Sequence, residues 1–233
     1  MPGSNKHKIT FLVAGLITGI IVAGLGGALA FQVKMIQKKP RRYAAKLPAN
    51  DKGGFNVFAA SSLDRIFEDG QTLLKPSFTK DAAISLAKNE YESFQIVVTS
   101  RDRLLEGVSL KISDLTNEQT GATLQWQNIT WRVVGYVPTI KPYYPVKYVG
   151  RWPDPLMPSR KTNIDAGVVQ PFWVTVYAPR GTAAGVYKGT VLVTANGGET
   201  REIPLQVRVY DFTLPVEGSL KTAFDFYGHE TFK

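Results

Sequence analysis

Residues 151–160, RWPDPLMPSR, set a carboxylate, an indole and two guanidinium groups within ten positions. Asp154 stands between Pro153 and Pro155, with Trp152 before them and Arg151 and Arg160 at the ends. This group suits a saccharide: the flat apolar face of an indole takes a sugar ring, while a carboxylate and a guanidinium exchange hydrogen bonds with its hydroxyls. Tyr148, just upstream, offers a further ring. The same aspartate could act as an acid or base, but glycoside cleavage needs a second carboxyl ~5 to 9.5 Å away. Glu90 and Glu92 form the other carboxylate pair close in sequence, at i and i+2 and hence on one face of an extended chain. They read more simply as the polar entry to the strand that follows them.

Other chemistries fail on supply. His7 and His229 are the only histidines, no G-x-S-x-G elbow is present, and there is no cysteine. Ser-His-Asp catalysis, thiolate chemistry and the common zinc and calcium motifs are therefore excluded, and neither a metal nor a cofactor is expected. Trp126, Trp131, Trp152 and Trp173, with Tyr143 and Tyr144, leave sugar binding open. The competing reading is that Trp131 and Trp173 pack the core, while residues 141–158 form a proline-stiffened loop that covers a sheet edge or meets another domain.

The elements that must hold these residues begin after a basic, apolar start. The 233-residue chain carries a net charge of +9, yet residues 1–46 hold eight basic residues and no acidic one, so the other 20 basic and 19 acidic residues nearly cancel. A phosphate-tracking protein needs a basic folded face, so nucleic acid is not an expected partner. Residues 9–33 contain no charge and are long enough to span a bilayer as a helix. They fit either a membrane anchor or an export signal cleaved after Ala30, and the length of the run favours the anchor. Residues 34–54, basic and then rich in Pro, Ala, Asn and Gly, read as a tether. Its basic cluster would hold that side in the cytoplasm under the positive-inside rule.

From residue 55 onward the hydrophobic period is two. Phe172, Val174 and Val176 alternate with Trp173, Thr175 and Tyr177; Tyr187, Val191 and Val193 alternate with Lys188, Thr190 and Thr194; Ile203, Leu205, Val207 and Val209 alternate with Pro204, Gln206, Arg208 and Tyr210. Each run predicts a half-buried strand. Asn196-Gly197 predicts a tight hairpin between the last two. Pro204, which has no N–H, belongs at an unpaired edge or a bulge. Residues 80–92 could suit a helix, but the alternation over 83–86 suits a strand as well. Many short strands with frequent turns predict an all-β fold, an antiparallel sandwich of Ig-like, Greek-key type over residues 55–217. Residues 218–233 open a new apolar run after a Pro/Gly link.

Five segments in order carry a resemblance: LAKNEYESFQIVV (86–98), GYVP (135–138), RWPDPLMP (151–158), QPFWVTVYAPRGTAAGVYKGTVLV (170–193) and PLQVRVYDFTLP (204–215). Together they resemble the N-terminal β-sandwich of glycoside hydrolase family 123-like proteins. The resemblance implies a (β/α)₈ catalytic barrel after the sandwich, bearing an Asp-Glu pair that removes terminal β-linked N-acetylgalactosamine with the substrate's own acetamido group as nucleophile. It also implies secretion or display outside the membrane, against the loop charges. The sequence stops at about where the first barrel strand would begin. The expectation is therefore a non-enzymatic accessory domain, tethered or secreted, whose partners are the missing barrel, the membrane and a glycan. Arg151, Trp152, Asp154 and Tyr148 are its expected carbohydrate or interdomain contact residues. The alternative is a stand-alone surface protein that binds a carbohydrate or a partner.

Overall fold

The computed structural model of the chain describes residues 43–44, 54–72, 78–146 and 148–219. The anchor or signal helix expected over residues 1–33, most of the tether, and nearly all of the expected onset of a new domain over 218–233 lie outside them. Among the described residues no helix is long and apolar enough to cross a membrane. The helical element among them is a single 3₁₀ turn, Trp126–Asn128.

The rest is strand. In chain order these are β1 (Tyr43–Ala44), β2 (Asn56–Ser61), β3 (Gln71–Thr72), β4 (Ala82–Lys88), β5 (Glu90–Thr99), β6 (Leu105–Ile112), β7 (Leu115–Asn117) and β8 (Thr123–Leu124). Then follow β9 (Ile129–Pro138), β10 (Arg151–Met157), β11 (Thr162–Ile164), β12 (Val169–Ala178), β13 (Gly185–Ala195) and β14 (Glu199–Thr213). One sheet has the order β10-β9-β12-β5-β2, and the other runs β11-β6-β13-β14-β4 with β7 and β8 attached beside β13. β1, within the span read as tether, pairs with β3, within the span read as sandwich. Residues 80–92, which suited a helix or a strand, are β4 turning into β5.

The two sheets bury their facing sides against each other. Phe172, Val174 and Val176 of β12 and Phe94, Ile96 and Val98 of β5 meet Tyr187, Val191 and Val193 of β13 and Leu205, Val207 and Val209 of β14 in one core. Alternation is the cause: on β14 Ile203, Leu205, Val207 and Val209 are buried while Pro204, Gln206, Arg208 and Tyr210 are exposed. Such a period leaves one apolar face per sheet, and pairing those faces removes both from water. The hydroxyl of Tyr187 donates to the carbonyl of Ala183, four residues upstream, at 2.7 Å. This is the arrangement of a tyrosine corner in Ig-like sandwiches.

The predicted hairpin forms with Ala195 opposite Glu199, and Asn196 and Gly197 take φ of 50° and 71°. Pro204 lies just before the β4 ladder, which starts at Leu205 opposite Ala82. One pairing departs from the antiparallel expectation, because β14 and β4 run parallel. The reason is connectivity: β4 passes straight into β5 of the opposite sheet, so its neighbour is a strand reached more than a hundred residues later, and no hairpin constrains their direction.

The outer face of the five-stranded sheet is half covered. Phe58, Ala60, Ile66, Val97 and Val169 form a second, smaller apolar cluster there, with Phe78 packed against it. Residues 61–70 lie over this face; Gln95 on β5 holds them by donating through Nε2 to the carbonyls of Ser61 and Asp64 at 2.7 and 2.8 Å.

Candidate functional site

Arg151–Met157 is not a loop, as the sequence suggested, but the edge strand β10, paired antiparallel to β9. Two prolines in seven residues are tolerated because an edge strand has one side without a ladder. Both also bias the residue before them toward the extended region. Pro153 faces Tyr136 and Leu156 faces Val134, so Asp154 and Pro155 together stand opposite Gly135 in a β-bulge. Gly135 gives the bulge room: a Cβ there would come within 2.8 Å of Met157 Sδ and 3.0 Å of Pro155 Cγ. The bulge re-aims the strand and leaves Asp154 exposed.

Asp154 lines an open cleft of ≈ 400 Å³ on the outer face of the five-stranded sheet. Ser62, Leu63, Asp64 and Arg65 form one wall, Pro153, Asp154 and Leu156 the other, and Gln95, Val134 and Trp173 the floor. Trp173 is half-buried on the outer face of β12, not in the core as one reading had it, because its neighbours Phe172 and Val174 take the inward positions. Trp131 does pack against the core, edge-on to Phe172 at 6.0 Å. Burial pushes the Asp64 carboxyl above its ordinary range, with a backbone hydrogen bond from Ser61 acting in the opposite direction. The cleft thus presents two carboxylates, a guanidinium and an indole face.

The other three expected contact residues are occupied in holding this wall. Trp152 packs edge-on to Phe67 at 5.5 Å, lies 5.7 Å from Tyr148, and donates from Nε1 to the Tyr148 carbonyl at 3.4 Å. Tyr148 in turn meets Phe67 at 4.6 Å. Arg151 pairs with Glu68 at 2.9 Å and lies 6.0 Å from the centre of the Tyr136 ring. Tyr136 is half-buried, and its hydroxyl donates toward the carbonyl oxygens of Ile66 and Val169, each at 3.2 Å. That burial, then the carboxylates of Glu68 and Asp69, drives its pKa far upward, so it stays a neutral donor. Of the four residues singled out in the sequence, the structure brings only Asp154 to the cleft. Asp64 and Arg65 were missed; Trp173 stood among the tryptophans open to a sugar, and its floor position was legible in the alternation of β12, whereas nothing local marked Asp64.

Glu90 and Glu92 do not converge on a ligand. Glu90 Oε2 accepts the Ala87 N–H at 2.5 Å and Glu92 Oε1 accepts the N–H of Ser93 at 2.8 Å, so both cap the strand entry as polar groups. Among the described residues no three His, Asp or Glu side chains are grouped to hold a metal ion.

Comparison with known proteins gives the fold a family. The family described as the glycoside hydrolase 123 N-terminal domain matches residues 74–195, just over half of the sequence. The chain belongs to that family. Among solved structures, a family 123 glycoside hydrolase from Clostridium perfringens, studied for glycolipid glycan hydrolysis, superposes with a TM-score of 0.59 at 19% identity. The superposition covers 70% of this chain and 28% of that one, so this glycoside hydrolase 123 N-terminal domain spans under a third of its relative. At that identity the likeness is one of fold. A PapD-like domain of human CEP192 and the sporulation control protein Spo0M of Bacillus subtilis superpose at TM-scores of 0.33 and 0.35, with 11% and 10% identity, over 57% and 69% of this chain and 83% and 51% of theirs. No curated protein matches the sequence.

Proposed function

We propose that this chain is a non-catalytic accessory domain of a glycoside hydrolase acting on β-linked N-acetylgalactosamine, and that it supports a catalytic barrel following it. The observation that carries the reading is the way β14 leaves the sandwich. Beyond Thr213, the N–H of Leu214 donates to the Lys88 carbonyl at 2.9 Å and its own carbonyl accepts from Asn89 Nδ2 at 3.0 Å. Asn89 also donates its N–H to Ala178 and accepts from the Tyr177 hydroxyl at 3.0 Å. One residue therefore ties both sheets to the departing chain, which gives whatever follows a fixed point of attachment. Exposed rings flank the exit: Tyr210 stacks with Phe212, and Tyr91 stacks on the half-buried Tyr177. The uncharged run over residues 9–33 supports tethering or secretion, with the sandwich outside the membrane.

Incubation of the purified chain with an aryl N-acetyl-β-galactosaminide tests the first part. No turnover is expected; turnover that disappears in Asp154→Asn or Asp64→Asn would overturn it. The coding sequence after Lys233 tests the second. An open frame encoding a barrel with an Asp-Glu pair is the expected result, and a stop codon would leave the stand-alone binding protein. That second reading draws support from the cleft around Trp173, which needs no barrel to hold a sugar. It requires Trp173→Ala to abolish glycan binding by the isolated chain.

A further inference from the structure

A second cleft lies where the two sheets part, away from Asp154 and independent of any barrel. β10 pairs with β9 only over residues 133–138, and β11 pairs with β6 only over residues 105–108. The start of β9 and the end of β6 are therefore left without partners on those edges, and a cavity of ≈ 470 Å³ opens between them. Ile129 and Ile112 form its apolar floor, and Trp126 and Trp131 its aromatic walls. The chain then crosses from one sheet to the other over this opening, carrying Arg160 and Lys161 to its rim, where Lys111 stands on β6.

Three features set this cleft apart. Lys111, Arg160 and Lys161 line it with no acidic residue, and none of the three enters an ion pair among the described residues. Trp126 is 53% exposed. Yet its backbone is held: its N–H donates to Asp114 Oδ1 at 2.8 Å, and Asn128 N–H closes the 3₁₀ turn on the Gln125 carbonyl at 3.0 Å. An exposed indole on a fixed backbone is a preorganised platform, which lowers the ordering penalty of binding. Cations in a concave, partly apolar site draw an anion more strongly than they would in open solvent.

We propose that this cleft binds an anionic glycan, with the indole of Trp126 against a pyranose face and Arg160, Lys161 and Lys111 on its carboxylate or sulfate groups. An inorganic anion alone would leave the exposed indole of Trp126 unused, and a neutral sugar would leave the three cations unused.

The test is titration calorimetry on the full 233-residue chain in a non-ionic detergent. The probes are a chondroitin sulfate tetrasaccharide, the same tetrasaccharide desulfated, neutral chitotetraose, and inorganic sulfate. Saturable binding of the sulfated probe is expected, at least tenfold tighter than chitotetraose and than inorganic sulfate. Binding of the desulfated probe would assign the carboxylate as the group read; its loss would assign the sulfate. Arg160→Gln combined with Lys161→Gln, and separately Trp126→Ala, should each weaken binding tenfold or more, and raised salt should weaken the parent more than the charge variant. Arg208→Gln, on the outer face of β14 two strands from β6 and six residues along from the level of Lys111, should change it less than twofold. Equal affinity for chitotetraose, equal affinity for inorganic sulfate, no saturable binding, or an effect of Arg208→Gln as large as that of the rim variant would each overturn the proposal. If Trp126→Ala lowers the melting temperature markedly, the charge variant decides.

Discussion

Asp154 and Trp152 are neighbours in sequence but do different work, and the bulge opposite Gly135 is what separates them. It turns the carboxylate out to the cleft and leaves the indole wedged between Phe67 and Tyr148, with the Arg65 guanidinium 5.5 Å above it. Loss of a half-buried indole removes that packing, so Trp152→Ala is expected to destabilise the fold by about 2 kcal/mol, below the range for a fully buried tryptophan. Asp154→Ala, at an exposed position without a hydrogen-bond partner among the described residues, should stay within about 0.5 kcal/mol. Urea denaturation of both variants checks the pair; equal losses would mean that β10 does not divide the roles in this way. Asp64, across the cleft, has a pKa raised by burial. A carboxyl that binds its proton more tightly in the folded chain stabilises most in acid; that contribution is lost as the pH rises from the unfolded value through the folded one, and stays lost above it. Asp64→Asn should therefore be more stable than the parent near neutral pH, with the difference shrinking in acid. A difference independent of pH would exclude burial of the carboxyl as its origin. The indole and the carboxylate were both visible in the sequence; that they diverge was not, because a bulge exists only in the register with a partner strand, here β9.

At the scale of elements, the long strands could be read directly. The alternation of β12, β13 and β14 and the Asn196-Gly197 turn fix both the buried faces and the pairing register, since a one-residue slip would expose every core side chain. What could not be read was anything that depended on a distant partner: the parallel pairing of β4 with β14, the strand character of β10, and the small cluster under residues 61–70. Asn89 shows how such a junction is held. It takes a φ of 63° where the chain passes from one sheet to the other, while its side chain bonds to Tyr177 and Leu214. Asn89→Gly keeps the conformation and loses the two side-chain bonds, at about 1 kcal/mol each. Asn89→Ala loses them as well and adds about 1–2 kcal/mol for a left-handed backbone. The expected order of stability is parent, then Gly, then Ala, measured by thermal or urea unfolding. If Ala equals Gly, backbone strain at this turn is not a factor; if both equal the parent, the ties to Leu214 do not anchor the exit strand.

At the scale of the whole molecule, the two sheets share one core, whereas the segment over the outer face rests on the small cluster of Phe58, Ala60, Ile66, Val97 and Val169 and on Phe67 against Tyr148 and Trp152. A large shared core makes unfolding of the sheets cooperative, while a thin cover with few apolar contacts can open by itself. Hydrogen exchange should reflect this division. Amides in the central strands β5, β12, β13 and β14 should exchange only through global unfolding, with one common free energy. Those in residues 61–70 should exchange through a cheaper local opening, whose rate is insensitive to low urea because little surface is exposed. The consequence reaches the cleft, since Asp64 and Arg65 belong to the cover while Trp173 and Asp154 belong to the sheet. Opening of the cover would dismantle one wall and leave the floor and the other wall in place. Ile66→Ala, which removes a fully buried side chain from the smaller cluster, should therefore raise exchange in residues 61–70 far more than in β12. If protection falls equally in both, the cover and the sandwich unfold as one unit, and the cleft is as rigid as the core beneath it.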